Sequence, residues 1–423
     1  MYVRASTVSH YDFPLQIDSY DYRIICFFIA CVLYAVLGSP TPDTFGYVEV
    51  LIGVLLALSV GAGRMRDALL QPINRIETKK RYWKSAGQAF LLYGLSVPLL
   101  VSVLSGYAPK AIMRDILPFL FLFLPLLLLQ VIRARPYYFR VILCSVCLIG
   151  ILFSIRSVSM RYALGCPYWC GDELLYLENM PTVLFSCLFL IGVAMHRVAR
   201  CFSLKSCLIA FSLLALSLVP LVSMILTLQR ASVGAVFLYV LVLLIYHVVR
   251  SPERAFGVVV VLLTAFSIAG LSFYGISSSL LVKTQKVGLN MRPQEFYAVW
   301  QVVTASPISF LFGIGWGGSF ASPAVGGLNV NFTHNFFSSI FLKTGVLGII
   351  FGIAYVSGIL ERSFRVILKN PTLGLAIFMP VMIDITLYAS FKSLDFGLML
   401  LLISGSLVYL RQSESKNILS VHA

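Results

Sequence analysis

The sequence predicts an all-α, polytopic membrane protein, a bundle of about twelve transmembrane helices. Three observations carry that prediction. Of 423 residues, 59% are hydrophobic and only 12% are charged, whereas a soluble domain carries about 25% charged residues. Apolar runs close to the ~20 residues needed to cross a bilayer recur from one end to the other, and the mean hydropathy is +0.92. No stretch reads as a soluble domain, so residues 1–423 form a single integral membrane domain. The first 20 residues are too polar for a signal-peptide core and read as a short tail.

The expected spans lie at about 24–38, 45–63, 86–106, 116–132, 138–154, 181–195, 207–228, 233–249, 255–274, 335–358, 373–389 and 396–410. The loops between them can be weighed against the preference of Lys and Arg for the cytoplasmic side. With both termini cytoplasmic, 22 basic residues lie inside, 9 outside, and Lys343 falls within a span. The asymmetry holds loop by loop, from Arg64–Lys84 through Arg133, Arg197, Arg250, Arg362 and Arg411. The net charge of +15 follows from it. Topology and contact with anionic membrane lipids account for that charge, and nucleic-acid binding is not indicated.

In this orientation the loops at 155–180 and 275–333 face outward. The second is the long soluble-facing segment of the chain, rich in Pro, Gly and aromatics rather than charge, and loops of this length are usually functional or disordered. Cys166 and Cys170 share the first outer loop; they read either as a disulfide in an oxidising compartment or as unpaired thiols. The remaining cysteines, including the Cys144–Cys147 pair, read as small apolar residues of the spans. No metal ligand set and no cofactor motif are evident.

His334 is the one histidine that faces outward, just before the tenth span. Helix N–H groups and the positive end of the helix dipole lie close by, which favours the neutral imidazole that a general base requires. The plainer alternative is an interfacial histidine bonded to its own loop. Two outward arginines weigh for chemistry. Arg230 sits in a tight turn before the eighth span, with Ser232 and Gly234 beside it. Arg292 opens an amphipathic segment, where Pro293 suits a first helical turn and Phe296, Val299, Trp300 and Val303 follow helical spacing. That helix is expected to lie on the outer membrane surface. Guanidinium groups bond phosphate in a two-pronged fashion. Two such groups, a helix N-terminus and a neutral histidine at one face suit a lipid-linked pyrophosphate beside a sugar hydroxyl.

The glycines of "GIGWGG" (313–318) have no preceding strand that would make them a nucleotide loop; they let the chain turn back tightly onto the membrane. Trp316 reads as an interfacial anchor or a surface on which a sugar stacks. Lys343 lies about 13 Å along the helix from His334. A charge at such depth is normally paired, and Asp384 in the eleventh span is the expected partner.

In order along the chain stand Gln229-Arg230-Ala231-Ser232, then Arg292 leading into "PISFLFGIGWG", then His334-Asn335 with Gly345 and Gly348 following. This ordered set resembles the O-antigen ligase and polymerase superfamily of bacterial inner membranes, over residues 229–348. Gln229 stands where that family often has Ser, and Trp300 lies further from Arg292 than is common there. The resemblance implies a metal-independent, GT-C-like glycosyltransferase of the inner membrane, with a periplasmic active site and no cofactor. The donor it implies is an undecaprenyl-pyrophosphate-linked oligosaccharide. The acceptor is another lipid-linked repeat unit for a polymerase, or lipid A–core for a ligase, and a chain-length regulator is an implied partner. His334, Arg230 and Arg292 would be catalytic, with Arg230, Arg292, Trp300, Trp316 and Asn335 binding substrate. Polymerase is preferred over ligase. A flippase or transporter is the competing class, but it would place charged residues at mid-membrane in several spans, whereas here they gather at the outer lip.

Overall fold

The computed structural model describes residues 19–38, 46–70, 82–163, 179–250, 252, 256–259, 262, 291–388 and 393–421. The helices run α1 (Ser19–Leu37), α2 (Tyr47–Val60), α3 (Ala62–Leu70), α4 (Tyr82–Leu104), α5 (Pro109–Phe121), α6 (Leu124–Ala134) and α7 (Tyr138–Ala163). They continue as α8 (Pro181–Arg200), α9 (Leu204–Leu226), α10 (Arg230–Arg250), α11 (Arg292–Val303), α12 (Pro307–Phe312), α13 (Phe336–Lys369), α14 (Pro371–Thr386) and α15 (Leu394–Val421). Among the described residues, nine helical segments are long and apolar enough to cross a membrane, the α5–α6 pair counting as one. Two shorter apolar helices, α2 and α14, occupy the second and eleventh expected spans. Most of the ninth expected span, and Cys166 with Cys170, lie outside the described residues.

Burial separates centre from rim. The apolar windows of α8 and α15 are 78% buried, against 28% for α10 and 33% for α1 and α4. The central pair is pinned by a buried carboxylate. Asp395 of α15 accepts hydrogen bonds from Tyr34 of α1 and Thr182 of α8, both at 2.5 Å. Beside it, α13 packs on α4, α14 and α15, and a ring cluster of Phe90, Phe119, Phe123 and Tyr355 fills the space between α4, α5 and α13.

Two expected spans are broken helices. The fourth, expected as one run over 116–132, divides at Leu122–Phe123. Pro125 has no N–H to give the preceding turn, and the Leu122 carbonyl released at the break accepts from the Tyr355 hydroxyl at 2.7 Å. The tenth extends to Lys369 and is interrupted at Gly345 (φ 65°, ψ −166°). The carbonyls of Leu342, Lys343 and Thr344 then accept from the Ile314 N–H (2.9 Å), the Gly315 N–H (3.1 Å) and the Tyr93 hydroxyl (2.8 Å). A broken helix inside a bilayer requires such replacement partners. A Cβ at position 345 would come within 2.5 Å of the Leu311 carbonyl and the Gly313 nitrogen, so glycine is needed for shape as well as for torsion.

The segment 291–335 is more structured than one amphipathic helix. It holds α11, α12 and a small antiparallel hairpin, β1 (Phe320–Ser322) with β2 (Leu328–Val330), Phe320 opposite Val330. Its α11 differs from the expected surface helix. Val299 and Val303 are fully buried with Phe341 and Leu342 of α13, while Phe296 and Trp300 stay exposed at 52% and 44%. The helix therefore docks one edge, Glu295, Val299 and Val303, on protein and leaves Phe296, Tyr297 and Trp300 facing outward.

Candidate active site

His334 is the residue before the cap of α13. The next residue, Asn335, has extended torsions, and its Oδ1 accepts from the N–H groups of Phe337 (2.8 Å) and Ser338 (3.4 Å). That oxygen is spent on capping, so of the Asn335 side chain its amide nitrogen is the group left for a substrate. The helix N-terminus is closed by Asn335, and the ring of His334 meets a carboxylate instead.

That carboxylate is Glu295, one turn into α11 and only 2% exposed. His334 Nδ1 lies 3.1 Å from Glu295 Oε1 and 3.2 Å from Oε2. The His334 backbone N–H donates to Oε2 at 3.0 Å, and Ser322 Oγ of β1 donates to Oε1 at 2.8 Å. Burial alone pushes this carboxyl up, but the hydrogen bonds and charge of His334, with Ser322, outweigh it and hold Glu295 below its ordinary value of 4.5. An ionised carboxylate only accepts hydrogen bonds, so Nδ1 carries a hydrogen, and in the neutral ring Nε2 is the nitrogen that has the lone pair. The side chain of His334 is 28% exposed, and Phe332 packs edge-on against its ring at 5.8 Å. The geometry is that of a base whose tautomer and direction are fixed by a buried acid.

One turn before Glu295 on the same helix is Arg292. Burial lowers its guanidinium below the ordinary arginine value; Tyr388 and Glu295 oppose that, while the charge of Arg230 adds to it. Its Nε is buried and donates to no group among the described residues. Arg230 is the first residue of α10 and lies within electrostatic reach of Arg292. The turn before it is tightly held. Leu228 takes a left-handed φ of 57°, Gln229 Nε2 donates to Asn179 Oδ1 at 3.0 Å, and Arg161 donates to the Leu226 carbonyl at 2.7 Å. The Tyr388 hydroxyl shares a hydrogen bond with Ser232 and feels both arginines. Arg230 and Arg292 thus lie within electrostatic reach of each other and of the neutral Tyr388 hydroxyl, and Arg292 shares α11 with Glu295, the partner of His334.

The other expected site residues divide. Trp300 stands at the site's margin, stacked on Phe341 at 5.8 Å. Trp316 is neither interfacial nor open to a sugar. It is 3% exposed, its Nε1–H donates to the Gly94 carbonyl at 2.8 Å, and its ring packs on Phe119 at 4.9 Å. Lys343 is paired, but with Asp115 of α5 rather than Asp384: Nζ lies 2.6 Å from Oδ2, and both side chains are buried. Lys343 also donates to the Gly318 carbonyl. Asp115 accepts from the Gly317 N–H at 2.8 Å and from Asn331 Nδ2 at 3.3 Å. This buried pair therefore clasps both ends of the hairpin that carries Ser322 to Glu295. Gly313, Gly315 and Gly317, all at positive φ (77°, 83° and 84°), supply the tight turns leading into it.

Glu295, Ser322, Asp115 and Tyr388 were not singled out from the sequence. Glu295 left one signal: it is the sole acid between 275 and 333. Among the described residues, no three His, Cys, Asp or Glu side chains are grouped to hold a metal ion. Compared with known proteins, the chain matches no family model and no curated protein.

Proposed function

We propose that the chain is a glycosyltransferase that polymerises undecaprenyl-pyrophosphate-linked oligosaccharide repeat units at the periplasmic face of a bacterial inner membrane. The observation that carries this reading is a single helix turn. Glu295 fixes the His334 ring through Nδ1, and Arg292, three residues earlier, carries a guanidinium within electrostatic reach of Arg230.

In this reaction the acceptor hydroxyl gives its proton to His334 Nε2 as its oxygen attacks the anomeric carbon of the donor. The bond from that carbon to pyrophosphate breaks, and its electron pair leaves with the lipid pyrophosphate. Glu295 stabilises the positive charge that appears on the imidazole. Arg230 and Arg292 stabilise the negative charge growing on the leaving group, which counts for more in a desolvated site than in water. No step calls on a metal or a cofactor.

The test uses purified protein in lipid nanodiscs with a lipid-linked repeat unit as substrate and a chelator present. Extension of the glycan into a ladder, lost in His334→Gln, is the expected result. Offering lipid A–core as a second acceptor separates polymerisation from ligation. An unmodified substrate with both acceptors, from protein that binds donor, would overturn the assignment.

A further inference from the structure

The serines and threonines of α13 dispose of their hydroxyls in one way, with a single exception. Ser338, Thr344, Ser357 and Ser363 each donate to a carbonyl three or four residues back, at 3.0, 2.6, 3.3 and 2.7 Å. Ser339 is only 2% exposed, yet its hydroxyl makes no hydrogen bond among the described residues. The cause is local. Its ordinary acceptor would be the Asn335 carbonyl, which already receives the Ser339 N–H at 3.1 Å, Ser338 Oγ at 3.0 Å and Thr333 Oγ1 at 2.9 Å. A carbonyl oxygen has two lone pairs, so a fourth donor finds no place there. The hydroxyl instead lines a cavity of about 20 Å³ between α5 and α13, together with the side chains of Asp115 and Lys343. Phe119, Leu122 and Ile340 are among its apolar walls.

Volume decides what fits. A water needs about 10–15 Å³ of such space, whereas a ligand the size of benzene takes about 150 Å³. The lining decides that the space is wet: cavities walled by apolar groups alone stay dry, and a buried water is held by two or more polar partners. Here Ser339, Asp115 and Lys343 supply them. We infer that this cavity binds one structural water molecule, which joins Ser339 to the buried Lys343–Asp115 pair. The Ser339 hydroxyl donates to the water, and the water donates onward to the carboxylate. An ion pair taken into a membrane bundle is less costly when further hydrogen bonds surround it. The water is therefore part of the clasp that holds the hairpin, and Ser339 positions it. Neither role depends on the proposed reaction.

A crystal structure of the full chain grown in lipid, at a resolution that shows ordered water, gives the first test. One isolated density peak is expected, within about 2.5–3.2 Å of Ser339 Oγ and of the Asp115 or Lys343 side chain. Density that continues as a chain overturns the inference, and so does the lack of any peak. The sign of a shift in melting temperature gives the second test, with Ser339→Ala. In a dry cavity this variant removes an unpaired buried hydroxyl and adds a better helix former, so the melting temperature would rise. With the water in place, the variant takes away one of its partners. The melting temperature is then expected to fall by a few degrees, with the Lys343–Asp115 contact retained. A rise or an unchanged value overturns the inference.

Discussion

Glu295 is costly to bury, and its neighbours offset that cost in a way that depends on pH. Its carboxyl lies below its ordinary value of 4.5 in the folded protein. A group depressed on folding contributes stability that is fully present above its unfolded value and is lost as pH falls through its folded one. Glu295 therefore stabilises the fold at neutral pH, and that contribution begins to fall near pH 4.5 and is lost as pH drops through the lower folded value. Glu295→Gln is expected to remove the acid-side part of that loss while leaving the α11–α13 contact in place, as thermal unfolding followed from pH 6 to 3.5 would reveal. The same variant no longer forces the hydrogen onto Nδ1, so transfer is expected to fall by about 10²–10⁴ with donor affinity little changed. The arginines predict the reverse division. Arg292→Lys keeps a charge but loses the planar fork, so donor binding is expected to weaken by about tenfold or more. Wild-type donor affinity in the Ala variants of both Arg230 and Arg292 would sink the pyrophosphate role.

At the scale of elements, the broken helix α13 decides how the outer segment is held. Gly345 turns the backbone aside, and the exposed carbonyls receive the 313–315 strand of loop. Lys343, two residues earlier, then reaches Asp115 and locks the base of the hairpin. Removing one partner strands a buried charge, so Lys343→Met is expected to cost about 3–5 kcal/mol. Lys343→Met with Asp115→Leu should recover much of that, leaving ~1–3 kcal/mol for the Gly317 and Asn331 donors that lose an acceptor. Urea unfolding in a mild detergent measures both. Because the clasp supports Ser322 and, through it, Glu295, the double variant is expected to fold yet transfer slowly, with kcat lowered more than KM raised. The sequence showed that Lys343 needed a partner but pointed to Asp384, since depth along a span says nothing about which faces meet. Asp115 lies inside α5, just ahead of the expected fourth span, and α5 did not read as separate from α6. Trp316 misled for a related reason. Its glycine-rich surroundings look exposed, but their positive φ values carry the loop inward, between α4, α5 and α13.

For the molecule as a whole, the helical, multi-pass class was legible because each span must satisfy its own backbone in lipid, which writes length and apolarity directly into the chain. His334, Arg230 and Arg292 were legible because ionisable groups are rare in such a chain, and the fold brings them to one end of the bundle. Glu295 was harder to find, because a buried acid on an apolar face looks like an exposed one until its helix is docked. Orientation is the remaining global prediction, and it can be tested without any knowledge of the activity. His334 and Arg230 stand at helix ends next to sequence poor in lysine and arginine. The far ends of α8, α10 and α13 carry Arg197 and Arg200, Arg250, and Arg365 and Lys369. The bias toward basic cytoplasmic ends then places the arginine-rich end of the bundle inside. Reporter fusions near residues 75 and 365 are expected to score as cytoplasmic, and those near 165 and 325 as external. Since α13 joins the two regions directly, an internal signal at 325 together with an external one at 365 would invert the bundle. His334 and its arginines would then face the cytoplasm, away from a periplasmic donor, and the proposed reaction would fail with them.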